Sequence, residues 1–379
     1  MKITIIGGGI TGLSTALALS KLGFPCEVYE RARQLNEVGA GIWLPPNALK
    51  VLDWLGLGTI VRQRGTPLDR VDVTNAQLVP FKKTTPAVVQ DEKGNKIVAI
   101  HRASLQKILY EALPKEVVKL GSEFHSLEIS KNQVKVSVGD QEIRTDLLVG
   151  ADGINSKVRS NLFPNTSKRF SGQTCWRGIS DMGLPKEFQN TGMESWGKKI
   201  RFGFSQITDN QVYWFAVIKA KQNGTDPSDT LKSELQQLYS GFHPVVLKII
   251  DQTQAEKIIR SDIEDLNRLD KWHKDKVVLV GDAAHATTPN MGQGAGQGIE
   301  DAYYLANLLT QKHPIEQTLH LFESARREKV DYIVQNSWRF GQMAHSVFGQ
   351  LIMKAVMKFT PEKVMKQQIN KLYSIQDTF

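Results

Sequence analysis

Only two cysteines, Cys26 and Cys175, occur among 379 residues. Two thiols cannot build a disulfide framework or a cysteine-rich metal cluster, so no staple and no metal is expected to hold this fold. Cys26 falls in an apolar run and reads as packing, and so cysteine-poor a chain fits a reducing cytoplasm. No apolar run approaches the roughly 20 residues of a membrane-spanning helix. Near the amino terminus, Ile3 to Ile6 is too short for the hydrophobic region of a signal peptide and runs directly into glycines, so no secretory leader is expected. Internal repeats and low-complexity linkers are also missing. The formal charge is +9, from 48 basic and 39 acidic residues, but no basic stripe is interleaved with aromatics. Nucleic acid is therefore not an expected partner, and the positive field suits anionic small molecules equally well. With 41% hydrophobic residues, the chain is long enough for two domains around a sizeable core.

What the chain does have is glycine, placed after apolar runs at three points. Lys2 to Ile6 reads as a strand, and Gly7-Gly8-Gly9-Ile10-Thr11-Gly12 satisfies G-x-G-x-x-G. Leu13 to Leu22 has helical spacing, Gly23 stops it, and Cys26 to Tyr29 forms a second strand ending on Glu30. Strand, glycine turn, helix, strand and terminal acid together point to a dinucleotide site. Gly7 permits the tight turn, Gly9 lets a pyrophosphate approach the backbone, and Gly12 allows close packing of helix on strand. Glu30 would accept hydrogen bonds from a ribose. The alternative is a strand–helix–strand unit that holds no dinucleotide.

The second point is a strand ending in Gly150-Ala151-Asp152-Gly153, followed by a helix with Asn155 or Ser156 as its cap. The third opens with Val277 to Val280, continues Gly281-Asp282-Ala283-Ala284-His285, turns at Pro289, and runs through Gly292, Gly294, Gly296 and Gly298 into helical spacing from Ile299. Here a strand delivers one carboxylate, and a glycine-rich loop delivers bare N–H groups at a helix N-terminus. That end carries partial positive charge and suits an anion or an electron-rich carbonyl. A plain turn with glycines for close packing is the other reading.

Between these points, Pro46 starts a helix running to Leu55 with Gly56 as its stop, and a second helix follows Arg102 from about Ser104 to Leu113. Residues 66–100 contain short strand-like runs, and 117–149 read as hairpin strands. From about 171 to 265 the pattern turns to aromatic-rich strands (Gly172 to Ile179, Lys199 to Phe204, Gln211 to Ile218) and two helices (Leu231 to Tyr239, Val245 to Ile250). Arg201 and Tyr213 lie on two adjacent predicted strands. The arginine could pair with an anionic substrate while the phenol bonds or stacks; the alternative is a surface arginine and a packing tyrosine. The tail from Ile315 is helical, with lysines among apolar residues from Leu351 on. It reads either as a helix closing a pocket or as a partner or membrane-surface helix.

This order of motifs resembles the group A flavoprotein monooxygenases, the single-component aromatic hydroxylases related to para-hydroxybenzoate hydroxylase. In motifs it is nearest to the urate hydroxylase and zeaxanthin epoxidase branch. The resemblance runs from Lys2 to about Arg339 and includes Gly39-Ala40-Gly41-Ile42, Pro46-Asn47-Ala48 and His101-Arg102-Ala103-Ser104-Leu105-Gln106. It implies an α/β fold in which a Rossmann-type FAD-binding domain (1–70, 97–170, 270–339) is interrupted by a β-sheet substrate domain (71–96, 171–269), with C-terminal helices at 340–379. It implies non-covalent FAD and NAD(P)H as co-substrate, bound in a groove shared with Asp152 and its loop. The activity implied is hydroxylation or epoxidation of a small planar aromatic or heteroaromatic substrate with O2, through a flavin C4a-hydroperoxide. The flavin carries that chemistry, so no catalytic side chain is named. The cofactor-binding residues it implies are Gly7, Gly9, Gly12, Glu30, Arg31, Arg102, Asp152, Asp282, Pro289, Gly292, Gly294 and Ala295, with Arg201 and Tyr213 toward the substrate. The segment from Gly39 would move with the ring. His285 is expected to orient the Gly281-Asp282 turn rather than act as a base. Two departures leave the substrate open: Asn290 stands where urate enzymes carry aspartate, and Gly296 where many relatives carry asparagine. A flavin reductase or halogenase-like relative and a non-catalytic FAD-binding interaction protein are the alternatives, although the tryptophan-rich halogenase signature is missing. A monomer or homodimer without membrane association is expected.

Overall fold

The computed structural model describes residues 1–35, 40–82, 89–130, 133–227 and 229–375. At its centre, strands Ile3–Ile6, Leu147–Gly150 and Val277–Leu279 are buried at every position. They are apolar throughout rather than alternating because both faces of a parallel sheet are covered. The sheet order is His273–Lys274, Val277–Leu279, Leu147–Gly150, Ile3–Ile6, Cys26–Tyr29, Val118–Lys119. All neighbours are parallel except the edge strand His273–Lys274, which runs antiparallel to Val277–Leu279. The chain leaves Ile3–Ile6 toward one side and returns on the other, so the carboxyl ends of the central strands open at a topological switch point, where ligands bind in such sheets. Helices Ile10–Lys21 and Gly294–Thr310 pack together there. This is the α/β, Rossmann-type architecture that the sequence led us to expect.

A three-stranded antiparallel sheet, Phe124–Ile129, Val134–Val138 and Gln141–Thr145, lies on the connection to the second glycine turn. In its middle strand Val134, Val136 and Val138 are buried and alternate with less buried residues, the period-2 pattern of a half-covered strand. A smaller sheet joins Gly41–Leu44, Val98–His101 and Thr66–Pro67.

The second large sheet, here the cover sheet, has the order Ile259–Leu266, Lys168–Ser180, Gln211–Lys219, Ile200–Thr208, Thr191–Trp196, Arg70–Asn75. It is antiparallel except where Arg70–Asn75 runs parallel to Thr191–Trp196. Helices Leu231–Leu238 and Pro244–Asp251 seal its outer face over an aromatic core containing Phe202, Phe204, Trp214 and Tyr239. Two of its strands, Thr191–Trp196 and Ile259–Leu266, escape a periodicity reading. Ile259–Leu266 reads Ile-Arg-Ser-Asp-Ile-Glu-Asp-Leu, and its acids become tolerable in an edge strand because Lys168 and Arg169 of the neighbouring strand pair with Glu264 and Asp265.

Helix Ile315–Ala344 packs back along Gly294–Thr310, and helices Val347–Phe359 and Glu362–Tyr373 follow. The long helix is continuous through residues 339 and 340, because its packing on the Pro289 turn and the cover sheet does not stop there. The secondary structure breaks after Ala344.

Candidate active site

Each glycine of the first turn serves a distinct geometric need. Gly7 has φ +107°, a left-handed conformation costly for other residues, and a Cβ on it would lie 2.5 Å from the Ala151 carbonyl oxygen. A Cβ on Gly12 would lie 1.9 Å from the Gly7 oxygen, so the helix can cross this turn only without a side chain. Gly9 is different: nothing lies within 4 Å of an added Cβ. The open space sits at the N-terminus of helix Ile10–Lys21, whose first-turn N–H groups have no partners within the helix. At the end of the second strand, Glu30 accepts from the N–H of Gly8 (2.6 Å) and of Ala32 (2.9 Å). Both carboxylate oxygens are fixed and each keeps a lone pair for a further donor. Arg31 is exposed. The amide of Gln106, which sequence reasoning did not single out, donates to the Gly8 oxygen at 2.8 Å and braces the turn.

At the second turn, Asp152 is tied to the start of helix Lys157–Leu162. Its oxygens accept from Ser156 Oγ (2.5 Å) and the Val158 N–H (3.1 Å). Burial holds its carboxyl above the usual range, and these hydrogen bonds oppose the shift. Of the two candidate caps, Ser156 does the work: its Oγ accepts from the Arg159 N–H at 2.9 Å. Arg159 reaches on to the Ala283 oxygen at 3.0 Å and so joins the second turn to the third.

The third turn corrects one expectation. Helix Gly294–Thr310 begins at Gly294, not Ile299, so Gly294, Gly296 and Gly298 are helical. Glycine is a poor helix former, and propensity alone pushes the start later. Packing overrides it. A Cβ on Gly298 would lie 2.1 Å from Thr11 Oγ1, and one on Gly281 (φ +58°) 2.5 Å from the same atom. Thr11 thus fills the space of two glycines and locks the first and third turns together. Gly296, the departure noted in sequence, leaves room for Pro45 and Asn47, whose atoms would be 2.9 and 3.2 Å from its Cβ. Gly292 is left-handed at φ +62° and ends the short turn Pro289–Met291. Pro289 and Gly292 are exposed, while Gly294 and Ala295 are half-buried.

Solvent reaches Asp282, but protein crowds it on its remaining sides. That desolvation holds its carboxyl above the usual range; the charges of His285 and Arg102 oppose the shift, and Asp301 adds to it. Arg102 is exposed at the start of helix Arg102–Glu111, with its N–H on the Ala40 oxygen at 3.1 Å. Of the segment expected to move, Gly39 lies outside the described residues, and Gly41–Leu44 is a strand paired with Val98–His101.

Beneath the third turn is a buried polar network absent from the sequence reading. Asp301 accepts from the Gly281 N–H (2.7 Å) and Arg326 Nε (2.9 Å) and bonds His285 Nε2 (2.6 Å). His285 thus reaches the Gly281 N–H through Asp301. Glu300 accepts from Arg326 (2.5 Å), Lys329 (2.7 Å) and Asn47. Burial alone would raise the Asp301 carboxyl, but His285 and Arg326 bring it down to about 2. The available signal was two acids inside an otherwise apolar helix, which must find buried cations.

The inner face of the cover sheet carries the two substrate candidates. Arg201 pairs with Val217 in register, and Tyr213 with Ser205, so both side chains project from one face. They do not meet. Arg201 is 2% exposed and its guanidinium is spent within the protein: Glu194 Oε1 at 3.0 Å and Asn290 Oδ1 at 2.8 Å. Arg201 Nε is buried without an acceptor. Asn290 in turn donates to Thr288 Oγ1 and the Ser337 oxygen, both at 3.0 Å. Tyr213 faces Arg177, and burial pushes its phenol up to about 12. Its ring lies on Gly41, where a Cβ would be 2.3 Å from Tyr213 Cγ. Trp43 bonds Ser205 Oγ at 2.8 Å and meets the Phe215 ring edge-on at 6.2 Å. The result is an aromatic wall of Trp43, Tyr213 and Phe215 beside a polar corner of Arg201 and Asn290.

Comparison with known proteins places these features in context. The model of the FAD binding domain family matches residues 1–337. The aurachin C monooxygenase/isomerase of Stigmatella aurantiaca is 35% identical over 346 residues, 90% of this chain and 89% of its own. The 2-heptyl-3-hydroxy-4(1H)-quinolone synthase of Pseudomonas aeruginosa is 29% identical over 385 residues, 99% of this chain and 98% of its own. Among solved structures, Klebsiella pneumoniae HpxO complexed with FAD and uric acid matches with a TM-score of 0.90 at 25% identity, covering 98% of this chain and 96% of that one.

Proposed function

The chain belongs to the FAD binding domain family and is an FAD-dependent monooxygenase of the aromatic-hydroxylase type, and from that premise we propose that it uses NAD(P)H and O2 to oxygenate a neutral, planar, ring-fused heteroaromatic compound of the alkyl-4-quinolone kind. One observation carries the choice of substrate. The buried arginine that would otherwise receive an anion is already neutralised by Glu194, and its second partner is the amide of Asn290 rather than a carboxylate. A charged substrate such as a urate anion gains little there, whereas a neutral ring gains from the aromatic wall. The Pseudomonas relative, a 2-heptyl-3-hydroxy-4(1H)-quinolone synthase, is named for a compound of the same chemical character.

The residues present fit FAD. Gly9 leaves open space at a helix N-terminus, where a pyrophosphate approaches bare N–H groups. Glu30 keeps lone pairs that would hold the ribose, and Arg31 would meet the phosphates from the surface. Asp282 would hold the ribityl chain, with Arg102 near it. The N–H groups of Gly292, Gly294 and Ala295 would receive the pyrimidine edge, on a turn stiffened by Pro289. When bound, FAD supplies the redox and oxygen chemistry. The protein orients and excludes water: Trp43, Tyr213 and Phe215 hold the substrate ring flat, Arg201 fixes Asn290, and the Gly294 helix end favours negative charge at its tip. Asp152 serves the nicotinamide groove by shaping its loop, because its own oxygens are engaged. We assign the parallel sheet to the cofactor and the cover sheet to the substrate.

The test is NADH and NADPH oxidation under air, with hydrogen peroxide assayed in parallel, against urate, hydroxybenzoates, hydroxyindoles, quinolones and tetracyclines. A 4-quinolone should stimulate oxidation with little peroxide. Stimulation by urate alone would overturn the neutral-substrate reading, and a fully flavinated protein that oxidises neither nucleotide would overturn the monooxygenase cycle. Asp282→Ala should purify folded but with reduced flavin; full occupancy would remove Asp282 from the cofactor site.

A further inference from the structure

We propose that helix Val347–Phe359 docks this protein on the headgroup region of an anionic lipid bilayer. The helix is apolar nearly all round, yet only one side is covered. Gln350 and Met353 face inward, with Gln350 donating to the Gly197 oxygen at 3.0 Å. The other side is open: Phe359 is 75% exposed, Phe348 72%, Leu351 60%, Val356 57%, Val347 46% and Ile352 39%. Counted from Phe348, five of them recur at i, i+3, i+4, i+8 and i+11, with Val347 beside the first, so they form one face along the helix. No other helix shows such a row among the exposed large hydrophobics of the described residues.

The charge around the stripe selects its occupant. Residues 347–373 contain five lysines (Lys354, Lys358, Lys363, Lys366, Lys371) and one acid, Glu362. Lys354 and Lys358 follow the stripe at i,i+4 spacing along one edge, and Lys363 and Lys366 are exposed on the next helix. Lysine is depleted at protein–protein interfaces, whereas an apolar stripe flanked by lysines is the pattern of helices that lie in an anionic membrane interface. Among the described residues no helix is long and apolar enough to cross a membrane, so the contact proposed is with the surface. Sequence periodicity left a pocket-closing helix and a surface helix open. In the structure the inner side of this helix packs on the cover sheet while its outer side is uncovered.

Beneath the stripe, Met353 packs with Trp196 and Ala344, joined by Met343, Met357, Phe340 and Phe81. Trp196 is the register partner of Arg201. A soft, methionine-rich layer thus joins the docking helix to the face that carries the polar corner, and it suits a flexible alkyl chain. That last link rests on the proposed quinolone reading; the docking itself does not.

The experiment is flotation of the full-length, FAD-loaded protein with vesicles of phosphatidylcholine alone or of phosphatidylcholine with phosphatidylglycerol in equal parts. Binding should be about tenfold tighter to the anionic vesicles and should weaken with added salt. The combined variant Phe348→Ser, Leu351→Ser, Phe359→Ser should lose binding to both while keeping its flavin and circular dichroism. Lys358→Glu, Lys363→Glu, Lys366→Glu, which leaves the stripe intact, should lose only the preference for anionic lipid. Failure of the wild type to float with either vesicle would overturn the proposal. So would a wild-type dimer in analytical ultracentrifugation that the serine variant converts to monomer, since a second copy would then cover the stripe. Nucleotide oxidation in detergent-free solution reports on the proposed function separately, so either reading can fail alone.

Discussion

The two large sheets present their candidate residues in opposite materials. On the parallel-sheet side the turns are built from missing side chains: Gly7, Gly12, Gly281 and Gly298 are places where a Cβ would strike backbone or Thr11. On the cover-sheet side the candidates are large side chains that engage the protein itself, Arg201 with Glu194 and Asn290, and Tyr213 against Gly41. A backbone-built site tolerates no substitution but announces itself, because few residues satisfy its geometry. A side-chain-built site uses the residue types that also build cores, so its members look like packing until their partners are known.

The comparison can be broken first at the support of the glycine turns. Arg326→Ala leaves Glu300 and Asp301 buried with one cation fewer, and should cost about 3–5 kcal/mol of stability in urea unfolding. A loss near zero would mean that the network merely tolerates Arg326.

Acid titration sharpens the contrast next, because each side has its own window. His345, fully buried above the cover sheet, is pushed down to about 4 by burial and then by the charge of Arg201. The unfolded chain therefore binds this proton more readily. The stabilising contribution is complete above about pH 6.5 and is lost as the pH falls towards 4, about 3 kcal/mol in all. Asp301, depressed to about 2, gives stability that is present above about pH 4 and lost only below it. Unfolding measured against pH should show both legs, and His345→Gln should flatten the upper one alone.

A third comparison lies within the glycine turns. Gly12→Ala drives a Cβ into the Gly7 oxygen and should cost about 1–3 kcal/mol together with the bound flavin. Gly9→Ala meets nothing and should leave apo stability unchanged while weakening FAD. Calorimetry of the apoprotein with flavin titration separates the two, and equal destabilisation by both would refute the distinction. The smallest effect is expected at Tyr213→Phe, which keeps the ring on Gly41 and loses only the interaction with Arg177, about 0.5–1.5 kcal/mol. If the ring alone serves the substrate, kcat/KM should stay within about twofold; a loss near tenfold, equal to about 1.4 kcal/mol, would assign the hydroxyl to the substrate.

The legibility of this chain follows the same division. The strand before Gly7, the stop at Gly56 and the hairpin around Val134 to Val138 could be read because glycine conformation and side-chain alternation are local. The start of helix Gly294–Thr310 was misread because its glycines are kept by contacts with Thr11, Pro45 and Asn47, each some 250 or more residues away. Strand Ile259–Leu266 was hidden because its acids are paired from a neighbouring strand.

By itself, then, the sequence determined the parallel sheet, its three glycine turns and the cofactor they fit, since each depends on backbone conformation that a few adjacent residues enforce. Only the tertiary structure decided that the charge of Arg201 is consumed inside the protein, that Glu300 and Asp301 share Arg326, and that one face of helix Val347–Phe359 is left uncovered. Charge pairing and burial are properties of surroundings, and those surroundings are assembled from residues far apart in the chain.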